Sequence, residues 1–401
     1  MTVDSKKLLK FIKKNIPVSF PKQHLSHTSK MFMKQIVDTM EIAVHSFHQI
    51  PDFRYHVLKE DEFPKGKEYE YVVEDIKTEL FHSKKLGKEY SFTIGSRTFT
   101  IYAVYPYKET GNTTDANKIY NILDKAIKKM YVWLFIANHF SDMHCSPHLN
   151  IYWYLTKHAK TLPNENEIID RIHVNSAFTM ACSENANEMY IFREEEWFKV
   201  FIHESFHSLG LDFASLSEKV AHNAMFSIFP VHCDLRFSEA YTESWAEIIN
   251  VLFTCILEYS CDESNINMDT LSRKIENKMQ DEIMFSLFQF SKILRHNKMT
   301  YSDLFKKNEY KESSNVFSYY ILKTIFLFFY NDFIEWTAEH NDGTLQFKQT
   351  QSNVLSLVQF IREHCRKTEF MKTINVIESI INKLPNGPEM QTLRMSITAL
   401  P

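Results

Sequence analysis

Five consecutive residues, His203-Glu204-Ser205-Phe206-His207, carry the clearest chemistry in this 401-residue chain. On an α-helix two imidazoles four positions apart lie on one face and can reach one metal ion, with Glu204 beside them. Two neutral nitrogen ligands and a neighbouring carboxylate form the donor set of a hydrolytic zinc site, in which the ion activates a water and the carboxylate takes its proton. The spacing predicts one zinc ion per chain held by His203 and His207, with Glu204 as general base.

The flanking residues predict the helix that must position them. Glu194, Glu195 and Glu196 suit a first turn, where carboxylates meet the positive end of the helix dipole, and Gly210 supplies a stop signal. Glu188–Phe192 reads as a short strand feeding this helix. A structural zinc site closes four protein ligands whereas a catalytic one uses three, so a third ligand is expected downstream. Ser238–Phe253 reads as a second helix with Ser238 as N-cap. Its apolar residues Phe237, Tyr241, Trp245, Ile248 and Leu252 recur at helical spacing, and Glu239, Glu243 and Glu247 lie four apart on the other side. A merely solvated acidic face is the plain alternative for these three.

The HExxH followed by Thr242-Glu243-Ser244-Trp245-Ala246-Glu247 resembles the gluzincin metallopeptidases, in which a second helix supplies a glutamate from an N-E-x-x-x-D or N-E-G-x-A pattern. The resemblance implies Glu243 as third zinc ligand. It implies for Glu247 the part of an acidic residue that hydrogen-bonds a ligating histidine. Thr242 replaces the usual asparagine, Glu247 replaces aspartate, and Glu243 follows His207 by 36 positions, a long spacing that leaves residues 211–236 as an inserted loop or helix. Val174–Met180 and Glu188–Phe192 read as adjacent strands, similar to the edge strand that lines the substrate cleft of this clan, where a peptide adds as a further strand. An ordinary hairpin is the other reading. The block from Phe192 to Glu247 also resembles uncharacterised metallopeptidases encoded by large DNA viruses of eukaryotes. The activity implied is peptide-bond hydrolysis. Without the GxMEN pattern of the gluzincin aminopeptidases, an endopeptidase is expected. The contrasting possibilities are a catalytically inactive, zincin-fold structural or virion-associated protein, and a metal-free helical binding module.

Other ligand sets stay open. His203–Gly210 also fits the H-E-x-x-H-x-x-G start of the metzincin pattern. The third ligand there would fall at Phe213, which cannot bind zinc, with Asp212 one residue early. His222, His232 or Glu239 could replace Glu243. An oxyanion donor is expected from the helical part, with Tyr241, Tyr319 and Tyr320 as candidates. His144, Cys145 and His148 lie in a turn-like stretch with Pro147 and read as surface or packing residues. His45 and His48 read as core or boundary histidines.

Composition bounds the rest. A chain with 44% hydrophobic and 14% aromatic residues is a folded globular protein large enough for two subdomains. A net charge of −4 gives no electrostatic case for nucleic acid, and no phosphate-cradling glycine pattern supports a nucleotide. Lys6, Lys7, Lys13 and Lys14 flank apolar residues of a first helix that reads as solvated. No secretory signal is visible, and the apolar run Val316–Tyr330, interrupted by Lys323, reads as one buried helix and not a membrane span. The six cysteines (145, 182, 233, 255, 261 and 365) show no CxxC spacing, so reduced thiols are expected, in a cytoplasmic or virion-associated protein that is not secreted.

Along the chain, residues 1–60 read as mostly helical with a break near Pro51. Lys88–Tyr107 reads as a hairpin turning at Gly95-Ser96, Ala116–Asn138 as a helix after the loop Glu109–Thr114, and Leu149–Thr156 as a strand. Helices dominate from Glu194 to about Leu384, Leu304–Ser314 reads as a flexible charged loop, and Pro385–Pro388 opens a short tail. The expected fold is α+β, a sheet-bearing N-terminal lobe and a helical C-terminal lobe with a zincin-like cleft between them. The expected divisions are residues 1–87 (mostly helical), 88–260 (metallopeptidase core) and 261–401 (helical).

Overall fold

Alternating apolar and polar residues build the sheet. In the computed structural model, which describes residues 1–47, 49, 54–59, 63–107, 116–231, 233–257, 267–306 and 309–400, β1 (Arg54–Leu58) pairs antiparallel with β2 (Lys84–Ile94). β2 then turns through Gly95 and Ser96 into β3 (Arg97–Tyr107), with Ile94 opposite Arg97. Gly95 has φ +62°, the positive dihedral that a two-residue hairpin loop requires. β4 (His148–Tyr154) runs parallel to β3, so the chain must cross over between them, and the helix Ala116–Phe140 does so. β5 (Ala177–Thr179) and β6 (Asn187–Ile191) complete a six-stranded sheet of order β1-β2-β3-β4-β6-β5. The fold is α+β.

Both faces of the sheet are covered, which explains why β4 and β6 are apolar on both sides. On one face Phe92 packs edge-on against Tyr131 of the crossover helix, ring centroids 5.2 Å apart. On the other, Tyr102, Tyr152, Tyr190 and Phe178 stack in a ladder with centroids 5.1, 4.6 and 4.9 Å apart, roofed by Val72, Ile76 and Leu80.

The residues group into two compact units. One gathers residues 34–159 and 176–211, including the sheet and the HExxH segment, and the other gathers 1–33, 160–175 and 212–401. The second group is helical. Its central helix, Phe237–Leu257, buries Trp245 against Phe32 and Phe333, and Tyr241 against Phe213 and Phe347. The helix Met268–His296 places Glu282 beneath the tail, where its carboxylate accepts from the Ile397 and Thr398 amides (3.0 and 2.7 Å) and from Ser396 Oγ (2.8 Å). The tail after Pro388 is thereby built into the unit.

Two expectations are corrected in this unit. Val316–Tyr330 is not one helix: it is π-helical over Phe317–Leu322, α-helical over Lys323–Phe328 and broken at Phe329, and the chain resumes as Tyr330–His340. The wider turn directs Ser318 Oγ to the Arg236 carbonyl and Lys323 Nζ to Glu247 (both 2.7 Å). No described helix is long and apolar enough to cross a membrane. The charged loop Leu304–Ser314 is also anchored over its described part: Tyr301–Phe305 is a 3-10 turn, Tyr310 is buried, and Ser313 bridges to Asp170. Pro51, the loop Glu109–Thr114, His48, His232, Cys261 and residues 307–308 lie outside the described residues.

Glu312 sits at the start of the π-helical stretch, accepting from the Phe317 amide and the Tyr310 hydroxyl (both 2.7 Å). Burial pushes its carboxyl up to about 8 against those two hydrogen bonds, and Cys233 and Asp234 also face it. The folded state then holds a proton that the unfolded chain releases near the ordinary carboxylate value. The group's stabilisation is full below that value and is lost as pH rises through about 8. Urea midpoints should therefore fall between pH 5 and 8, with a slope from this group of at most about 1.4 kcal/mol per pH unit. Glu312→Gln should flatten it, and an unchanged slope would refute the assignment.

Candidate metal centre

The helix Trp197–Ser208 is buried on every side, not merely along one stripe. Trp133 stacks on Phe206 at 15° and 5.8 Å, and Trp153 lies 4.5 Å from Trp197. Such an environment favours apolar residues, yet His203, Glu204 and His207 are 6, 7 and 7% exposed. His203 and His207 bring their Nε2 atoms within 3.1 Å of each other. Two nitrogens bound about 2.0–2.1 Å from one tetrahedral zinc would lie roughly 3.3 Å apart. The separation of the pair matches that of two ligands of one ion.

The start of this helix differs from expectation. Glu194–Glu196 precede the first turn, and Glu196 takes the left-handed conformation (φ 58°) as N-cap, so the acids do not line a first turn. The expected stop holds. Gly210 has φ +68°, its amide bonds to the His207 carbonyl (3.2 Å), and the Leu211 amide bonds to the Phe206 carbonyl (2.9 Å), a Schellman closure. Here too the expectation of reduced thiols is corrected. Cys145 and Cys182 are joined in a disulfide packed under Gly210, and the Cys182 amide donates to the His207 carbonyl at 2.9 Å. A Cβ on Gly210 would meet Cys145 Sγ at 2.6 Å. Gly210→Ala combines that clash with a left-handed dihedral that costs about 1–2 kcal/mol for other residues. It should lower stability by at least that amount in a denaturant titration, and a neutral effect would show that the loop relaxes.

The glutamates belong to the other unit, on the helix Phe237–Leu257. Ser238 is not its N-cap. The helix begins at Phe237, and Glu218, on the segment read as an insertion, accepts from the Phe237 and Ser238 amides at 3.0 and 3.2 Å. That segment carries the short helix Lys219–Phe226, on which His222 is half-buried. Thr242, where the resemblance has asparagine, donates to Asp212 Oδ2 at 2.8 Å, and Asp212 Oδ1 accepts from the Ala214 amide at 3.1 Å. Asp212 is therefore tied to this helix, and Phe213 lies in an aromatic cluster with Phe237, Tyr241 and Phe347.

Glu243 is 1% exposed. Glu239 is half-buried and accepts from the Tyr319 hydroxyl at 3.1 Å. Glu247 is fully buried, and its Oε1 holds Lys323 Nζ at 2.7 Å, a partner that the sequence showed only as an interruption in an apolar run. Lys323 also reaches Ser286 Oγ and the Met395 carbonyl. Of the three tyrosines, Tyr241 is held by Asn341 and Tyr320 donates to the Leu393 carbonyl, both in the interior. Tyr319 keeps a polar partner on the acidic helix.

Three groups escaped sequence reasoning: Lys323, the Asp212–Thr242 link and the Cys145–Cys182 pair. Each joins residues whose separation leaves no periodic trace. His45 and His148 are exposed and hold no place in this centre. No family model, curated protein or solved structure matches this chain.

Proposed function

We propose that the protein is a zinc-dependent metallopeptidase, most simply an endopeptidase, with His203 and His207 as ligands and Glu243 as the third. The observation that carries the reading is the 3.1 Å approach of two buried imidazole nitrogens on one helix, with Glu204 in the same buried helix. A zinc ion bound there would acidify water and polarise a carbonyl. Glu204 would accept the water proton and return it to the leaving amine. Tyr319 is the preferred oxyanion donor, since its hydroxyl donates to Glu239 on the acidic helix, whereas those of Tyr241 and Tyr320 meet Asn341 and the Leu393 carbonyl in the interior. Glu247 would support a ligating histidine. The gluzincin-like cleft, with β5 as the edge along which a peptide adds, belongs to this proposal, as do a cytoplasmic or virion-associated setting and a viral origin.

Metal content by mass spectrometry on wild type, Glu243→Ala and Glu239→Ala tests it. One zinc per wild-type chain, strongly reduced in Glu243→Ala alone, is the expected result. Loss in Glu239→Ala instead would transfer the third ligand one turn earlier. Wild-type protein that takes up no zinc would end the metallopeptidase reading. Zinc without cleavage of any peptide library would leave the inactive zincin-fold alternative.

A further inference from the structure

We propose that Cys145 and Cys182 are a reversible dithiol/disulfide site, served by His144 and Asp142, which exchanges with small thiols and dithiols and braces the carboxyl end of the HExxH helix when oxidised. The inference stands independently of the metallopeptidase reading, because the side chains that react in it all lie in the sheet-bearing unit and none of them is a proposed ligand.

The two sulfurs differ in access. Cys145 is 2% exposed, while Cys182 is half-buried beside the exposed ring of His144. His144 Nε2 lies 3.4 Å from Cys182 Sγ and 3.6 Å from Cys145 Sγ, and its Nδ1 lies 2.9 Å from Asp142 Oδ1. A carboxylate that fixes one ring nitrogen leaves the other aimed at the sulfurs, the arrangement that makes thiols reactive elsewhere. The other described cysteines differ: Cys255 and Cys365 are 0 and 1% exposed, Cys233 is half-buried, and burial pushes the Cys233 thiol well up and the Cys365 thiol up to about 11, away from reactivity.

The reaction balances with a dithiol reductant. A reductant thiolate attacks the accessible Cys182 Sγ, the Cys145–Cys182 bond breaks, and its electron pair leaves on Cys145 Sγ, which takes a proton from His144 Nε2. The reductant's second sulfur then attacks its own partner in the mixed disulfide and releases Cys182 as a thiol. The reductant departs as a disulfide, having passed two electrons and two protons to the protein. The consequence reaches the helix directly. Cys182 supplies the amide on the His207 carbonyl, Cys145 Sγ packs against Gly210, and Ser146 Oγ donates to the Ser208 carbonyl at 2.6 Å.

The test is to titrate the native full chain with dithiothreitol, quench with iodoacetamide and locate the labels by peptide mass spectrometry. Cys145 and Cys182 should become labelled together while Cys255 and Cys365 stay protected. His144→Ala should slow that reduction about tenfold without moving the thermal midpoint. On reduction, hydrogen exchange at the Gly210 and Leu211 amides should accelerate. Labelling only after unfolding would make the disulfide an inert brace and overturn the proposal. Free thiols in the native protein with a zinc ion lost in Cys182→Ser would replace it by a metal site of His144, Cys145 and Cys182, which lie close enough for one. An unchanged rate in His144→Ala would remove the histidine's role.

Discussion

Glu204→Gln should bind zinc as wild type does and cleave a peptide library about 10³-fold more slowly, within the usual range for losing a general base. Glutamine keeps the shape and hydrogen-bonding reach of the side chain but cannot take a proton, so ligand geometry and folding are preserved while proton transfer is lost. The control is already in the structure. Glu204 lies in a helix whose ring contacts to Trp133 and Trp153 are made by Phe206 and Trp197. Turnover retained in Glu204→Gln would assign the base elsewhere. Zinc lost with the turnover would show instead that Glu204 helps to hold the ion.

The second large effect concerns stability. Lys323→Met should cost about 3–5 kcal/mol, because it removes the ammonium that faces the fully buried Glu247 carboxylate at 2.7 Å. Replacing both partners, Lys323→Met with Glu247→Leu, should recover most of that loss, since a buried ion pair exchanged for apolar groups of similar volume is often neutral. Urea titrations of the two single variants and the double variant form the required cycle. Losses below about 1 kcal/mol for both single variants would mean that water or another group compensates each charge, as at surface pairs. The Lys323 contacts to Ser286 and the Met395 carbonyl suggest the opposite, since they satisfy the ammonium's remaining donors.

The elements that position the site were largely readable from local pattern. The hairpin came from alternation around Gly95-Ser96, the crossover helix from apolar spacing over Ala116–Asn138, and the stop of the HExxH helix from Gly210. In each the signal lies within one or two turns of the residue it governs. The misreadings share a cause of the opposite kind. Ser238 has the chemistry of an N-cap, but Glu218, 19 residues before Phe237, supplies the acceptor. Glu194–Glu196 have the composition of a first turn, but the left-handed Glu196 delays the helix to Trp197.

The sequence by itself determined that two histidines and a glutamate share a helix, that an acidic helix follows, and that strands and helices of these approximate extents exist. Covalent spacing and helical periodicity suffice for that. Tertiary structure alone decided that the imidazole nitrogens meet at 3.1 Å inside a helix buried on all sides. It alone decided that Lys323 reaches Glu247 across 76 residues, and that Cys145 meets Cys182 across 37. Those outcomes depend on which surfaces pack together, and a buried charge or thiol is matched by whatever partner the packing brings, at no fixed distance along the chain.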